Sequence, residues 1–181
     1  MQATEIYNER LQVNKKVKIL FYGRVKRLSY HLTDILKERP LLSEGAIVWC
    51  DLLLGSAEHS GIYVGNNKIV ELTGDGVVRE VGFEQFVSIG ESLVRTGFTV
   101  YALCNKEGVL ADPKIAERAL DKRDDPRGYN LFTKNCHQFT AGCITGNFTN
   151  KTLTFEQLKW VTALHFGILS LTSRVVCEVK V

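Results

Sequence analysis

Between Phe21 and Leu36, apolar side chains recur at Phe21, Val25, Leu28, Leu32, Ile35 and Leu36, while Lys16, Lys18, Arg24, Lys26 and Arg27 mostly fall off that stripe. The spacing predicts one amphipathic helix that ends before Pro40. It fits a helix packed on a core with a solvated basic face about twice as well as one lying on a membrane surface. The period then changes. Segments 46–51, 60–65, 68–72, 77–81 and 98–104 are short, rich in Val, Ile and Tyr, and punctuated by glycine and asparagine, which predicts strands. Their short connections predict an antiparallel meander. Asp112-Pro113 supplies a cap and a first-turn proline for a helix running to about Arg123, where Asp-Asp-Pro-Arg-Gly breaks the chain. Asn135 is a plausible cap for a helix from Cys136 to about Gly146. Thr154 with Gln157 resembles a capping box for a helix through the apolar run Val161–Leu171, and 174–181 reads as a last strand. The expected class is α+β, an antiparallel sheet packed with helices.

The chain of 181 residues, 45% hydrophobic and 24% charged, is long enough for one compact domain with a core that needs no disulfide or metal. Its charge is uneven. Residues 1–40 hold nine Lys/Arg against four Asp/Glu, and residues 41–181 hold fourteen against sixteen. We therefore separate a basic amphipathic segment, 1–40, from the main body, 41–181, within one domain. An anionic lipid surface or an acidic partner suits the first segment. No patch of interleaved basic and aromatic residues runs through the main body, which argues against nucleic acid. No internal repeat or phosphate-binding glycine loop is present.

Cysteines at 50, 104, 136, 143 and 177 form no Cys-x-x-Cys pair and follow no secretory n-region or h-region. A reducing, cytoplasmic setting is expected, in which the glycosylation-like triplets at Asn147 and Asn150 are accidental. The run Val161–Leu171 stops well short of the ~20 residues that cross a bilayer. No transmembrane helix is expected.

Chemistry concentrates in Tyr-Asn-Leu-Phe-Thr-Lys-Asn-Cys-His-Gln-Phe-Thr, residues 129–140. If Asn135 caps a helix, Cys136 stands at its N-terminus, where unsatisfied N–H groups and the positive end of the dipole stabilise a thiolate. The same N–H groups can receive an oxyanion. His137 is adjacent in sequence, but neighbours at i and i+1 on a helix do not face each other, so it is not expected to be the base. Cys143 lies seven residues on, about 10 Å along the axis, too far for a disulfide with Cys136, and is expected in the core. A lone cysteine at a helix start is more often structural than catalytic. It needs a distant histidine. His59 is the candidate, opening a strand after the loop 52–58. His31 reads as a helix-surface residue and His165 as a packed one, neither with a catalytic role.

Together, a histidine opening a Gly-Ile-Tyr-Val-Gly hairpin and, far downstream, Tyr-x-Leu-x-x-x-Asn-Cys-x-x-Phe-x-x-x-Cys resemble the lecithin retinol acyltransferase (LRAT)-like family. That family belongs to the permuted branch of the NlpC-type, papain-like cysteine enzymes. The resemblance covers roughly 42–146. It implies Cys136 as nucleophile and His59 as its base, Tyr129 near the acyl carbonyl, and a substrate- or oxyanion-binding part for Asn135. It also implies a third polar residue twelve positions after the histidine, which falls on Glu71, where the acyltransferases usually have histidine. A carboxylate can orient the imidazole and stabilise its cation. The opposite reading makes Glu71 a solvent-facing strand residue.

Register separates the two. A two-residue Asn66-Asn67 turn would put His59 and Glu71 on opposite faces of the ribbon, whereas a three-residue loop, Gly65 to Asn67, makes them diagonal neighbours on one face. We expect the longer loop. The implied activity is acyl hydrolysis or transfer through a thioester on Cys136, on a lipid ester such as a phospholipid, without cofactor or metal. Two alternatives stand beside it: a cysteine peptidase or amidase on peptide or cell-wall amides, and a non-catalytic binding or scaffolding module with the same fold.

Overall fold

The computed structural model describes residues 39–52, 57–88, 99–124 and 135–178. The helix expected near residues 21–36, His31 and Tyr129 lie outside them. In chain order the elements are β1 (Ile47–Leu52), β2 (Ala57–Tyr63), β3 (Lys68–Leu72), β4 (Val78–Gly82), α1 (Phe83–Phe86), β5 (Thr99–Cys104), α2 (Pro113–Leu120), α3 (Cys136–Thr145), α4 (Phe155–Phe166) and β6 (Thr172–Glu178). The protein is α+β, with a six-stranded antiparallel sheet in the order β4-β3-β2-β1-β5-β6. The meander expected from short connections extends only through β4. β5 returns to the far side of β1, and β6 pairs beyond it.

Alternation along the central strands divides the core into two layers. Ile47 and Trp49 of β1 join Ile62, Val70 and Tyr101 in one layer, against Ile115 of α2, Phe139 of α3 and Leu158 of α4. Ala46, Val48 and Cys50 face the other, with Ile69, Val81 and the ring of Phe86 from α1. Because β1 is buried on both faces, it carries almost no polar side chain until Asp51. Phe86 is fully buried, a contribution of about 2 kcal/mol by area removed from water. Four residues are too few to show a helical period, so the sequence offers no sign of α1.

The helix ends follow their capping chemistry. Asp112 accepts the Lys114 N–H at 3.0 Å ahead of Pro113. In α4 the Gln157 N–H meets Thr154 Oγ1, and Gln157 Oε1 returns to the Thr154 N–H, both at 3.2 Å. This helix stops at Gly167, whose φ of +63° ends it four residues before Leu171, short of the expected apolar run. Trp160 and Leu164 are 70% and 78% exposed. One further expectation is corrected there. His165, expected to be packed, is exposed and meets Asp112 Oδ2 at 3.4 Å. Among the described residues no helix is long and apolar enough to cross a membrane.

Candidate functional site

Cys136 is the first residue of α3 because Asn135 is its cap. The Asn135 backbone is extended (φ −128°, ψ 178°), and its side chain accepts the Gln138 N–H at 3.1 Å. Its carbonyl accepts the Phe139 N–H, also at 3.1 Å. Among the described residues, the N–H groups of Cys136 and His137 meet no acceptor, so two donors remain at the start of the helix beside the sulfur. Asn135 Nδ2 donates to the Leu153 carbonyl at 2.8 Å, so both ends of the amide are engaged by the protein itself.

His59 lies in the third position of β2, not at its opening. Ala57 and Glu58 pair with Leu52 and Asp51 and extend the strand backwards, a pairing that their own weak strand preference does not announce. His59 is thereby held directly across from Cys50. On the other edge, β2 pairs with β3 only as far back as Gly61, opposite Glu71. The β2 edge at His59 and Ser60 is left to α3, whose first turns dock there: Ser60 Oγ lies 2.9 Å from His137 Nδ1 and 3.0 Å from Thr140 Oγ1.

The β2–β3 loop is the three-residue one. Val64 N–H donates to the Lys68 carbonyl at 2.9 Å, with Gly65, Asn66 and Asn67 between them. All three have positive φ, of +90°, +50° and +58°, which glycine and asparagine tolerate best. This register makes His59 and Glu71 diagonal neighbours on one face. Glu71 Oε2 stands 2.6 Å from His59 Nε2, and the carboxylate side chain is 3% exposed. Glu71 is not a solvent-facing residue. Gly61, between them in register, has no room for a side chain: a Cβ there would lie 2.7 Å from Ile69 Cγ2, 2.9 Å from the Val70 carbonyl oxygen and 3.0 Å from Phe86 Cε2. The bare backbone lets Phe86 reach the histidine, ring centroids 5.0 Å apart.

These neighbours set the charge states. Burial pushes the Cys136 thiol up, but the cationic His59, then hydrogen bonds with His137 and His59, outweigh it and hold the thiol well below its ordinary 9.0. Burial alone would lower His59. The Cys136 thiolate, by charge and hydrogen bond, and then Glu71 raise it from 6.5 to about 10. Cys50 is the contrast. Burial, followed by the negative charges of Glu71, Asp51 and Cys136, drives its thiol well above 9.0, and its sulfur meets the Phe86 carbonyl at 3.8 Å. Of the two thiols close to His59, only Cys136 is poised as a thiolate.

His137, not expected to be the base, adds to His59 in holding the Cys136 thiol down. The first turn of α3 lies over the sheet, and Ser60 holds the His137 ring by Nδ1 while Phe155 flanks it at 5.8 Å. Cys143 is buried in the core layer with Phe139 and Ile144. Arg79, Phe86, Ser60 and Cys50 all adjoin the site without having been singled out from sequence. Among the described residues, no group of three or more His, Cys, Asp or Glu side chains stands where it could hold a metal ion.

Comparison of the chain with protein-family models, curated proteins and solved structures gives no match.

Proposed function

We propose that this protein is a cysteine-dependent acyl hydrolase or acyltransferase that works through a thioester on Cys136. We propose also that its α+β core is the permuted NlpC-type, papain-like arrangement of the LRAT-like family. The observation that carries the reading is the buried succession Cys136, His59, Glu71, in which a helix-start thiol faces an imidazole whose Nε2 is held at 2.6 Å by a carboxylate.

With Nε2–H given to Glu71, the ring nitrogen available to the sulfur is Nδ1. His59 takes the thiol proton there, and the thiolate attacks the acyl carbonyl carbon to form a carbon–sulfur bond. Negative charge develops on the carbonyl oxygen, and the N–H groups of Cys136 and His137 stand ready to receive it. Asn135 contributes by fixing that turn. As the tetrahedral species collapses, the bond to the leaving alcohol or amine breaks and the leaving group takes the proton from His59. Water, or an acceptor alcohol or amine, then loses its proton to His59 as it attacks the thioester, and the thiolate leaves. Glu71 stabilises the imidazolium on both occasions.

This geometry serves any acyl group. The choice of a lipid ester, such as a phospholipid acyl chain, comes from the resemblance of the two motifs, and peripheral membrane contact comes from the basic amphipathic pattern in residues 1–40. The test is incubation with phospholipid vesicles and, separately, with peptide and peptidoglycan amides, followed by intact-protein mass. The reading predicts an acyl adduct on Cys136 and release of fatty acid, both absent from Cys136→Ser. Adduct formation from amides alone would move the substrate to peptides. Wild type indistinguishable from Cys136→Ser on every substrate would leave a binding module.

A further inference from the structure

Glu71 carries its charge in a place that is almost closed to water, and His59 cannot be its constant counter-charge, because the imidazole gains and loses a proton in each turnover. A second partner stands on the neighbouring edge strand. Arg79 of β4 is directly opposite Glu71 in the β3–β4 ladder, and its Nε donates to Oε1 at 3.3 Å while Oε2 faces His59. The two carboxylate oxygens are thus divided between a permanent cation and the imidazole.

That division has a mechanical consequence. The last torsion of a glutamate is soft, so one hydrogen bond to an imidazole does not fix the plane of the carboxylate. A second donor on the other oxygen does. We infer that Arg79 is a positioning residue for the Cys136–His59 pair, holding Glu71 so that Oε2 stays on His59 Nε2 and the other ring nitrogen stays toward the sulfur. The inference rests on the reading of Cys136 as nucleophile. Arg79 acts on the pair through Glu71. Its side chain is 47% exposed and reaches the carboxylate from the rim. The charged and titratable groups around this chain of contacts are Cys136 and His137 from α3, Cys50 and Asp51 from β1, and Asp75 in the β3–β4 turn, which also feels the Arg79 charge.

The experiment is iodoacetamide alkylation of Cys136 from about pH 5 to 9, resolved by peptide mapping, in wild type, Arg79→Ala, Arg79→Lys, Glu71→Gln, Glu71→Gln/Arg79→Ala and His59→Ala. Thermal unfolding controls for folding, which an exposed edge position should tolerate. Arg79→Ala is expected to slow alkylation near pH 6 by about five- to tenfold and to move the profile upward, the size of one well-placed ion pair. Lysine, a point charge without the planar fork, is expected to recover only part of this. In the Glu71→Gln background, removing Arg79 should change nothing further. The inference is overturned if Arg79→Ala superimposes on wild type, if lysine restores the profile fully, or if the loss is the same without Glu71. If wild-type Cys136 reacts as an ordinary thiol and ignores His59→Ala, the nucleophile reading itself falls and takes the inference with it.

Discussion

Glu71 Oε2 meets His59 Nε2 at 2.6 Å across two strands whose pairing stops two residues short of the histidine. The contact therefore owes nothing to ladder hydrogen bonds at His59. It is a diagonal side-chain contact, set by a three-residue loop and by a glycine, Gly61, whose missing side chain leaves room for Phe86 beside the histidine. Glu71→Gln keeps the shape and removes the charge. We expect it to raise the midpoint of Cys136 alkylation by about one pH unit or more with little change in thermal stability. An unchanged midpoint would show that the carboxylate does not support the imidazolium.

The shifted pair also predicts how stability depends on pH. His59, raised to about 10, adds stability that is complete below its ordinary 6.5 and lost as pH rises through about 10. Cys136, lowered, adds stability that is complete above its ordinary 9.0 and lost as pH falls through its folded value. The two describe one interaction, counted once. Between about 6.5 and 9 the folded and unfolded states bind equal numbers of protons at these two sites, so the contribution is flat there and declines on either side. Urea unfolding of wild type and Cys136→Ser at pH 5.5, 7.5 and 9.5 should show the largest difference at the middle value. A difference that rises steadily toward pH 9.5 would contradict the pair.

Ser60 joins β2 to α3 through His137 and Thr140 in a fully buried contact. Ser60→Ala leaves a buried ring nitrogen and a hydroxyl without that partner, and we expect a loss of about 1–2 kcal/mol in denaturant unfolding. With the His137 ring released, the alkylation midpoint of Cys136 should also move upward. Stability equal to wild type would mean that the two groups find other partners.

Asn135 separates a structural effect from a chemical one. Asn135→Ala removes the cap of α3 and the donor to the Leu153 carbonyl, a combined loss of about 2–3 kcal/mol. Asn135→Asp keeps an acceptor for the Gln138 N–H but not the donor, and should fall between the two in unfolding free energy. An aspartate as costly as alanine would show that the Leu153 contact, not the cap, holds this turn.

Much of the site was legible because its positions depend on local rules. Asn135 and Cys136 follow from capping preference, whereas Glu71 comes from the resemblance and the Gly-Asn-Asn loop supplies the register that brings it to His59. Arg79 could have been found in the same way, since Thr73-Gly-Asp-Gly marks a hairpin that sets it opposite Glu71. Other features depend on tertiary context. β2 begins at Ala57 because Asp51 and Leu52 offer a partner, α1 is too short for any period to reveal, and the His137 ring is held by Ser60 of a strand far away in sequence. Leu164 belongs to the apolar run and Trp160 immediately precedes it, and nothing in their spacing shows that α4 turns them outward. The return of β5 to β1 is likewise a long-range choice that short connections do not encode.

The central claim is that His59 makes a reactive thiolate of Cys136, and site-resolved alkylation of Cys136, compared in wild type and His59→Ala across about pH 5 to 9, tests it most directly. In wild type the sulfur should react well below the ordinary thiol range, faster than the other four cysteines. In His59→Ala, burial remains while its main counter-charge is gone, so the Cys136 midpoint should move to or above that of an ordinary thiol. A wild-type Cys136 that titrates like an ordinary thiol, with a profile unchanged by His59→Ala, would contradict the account.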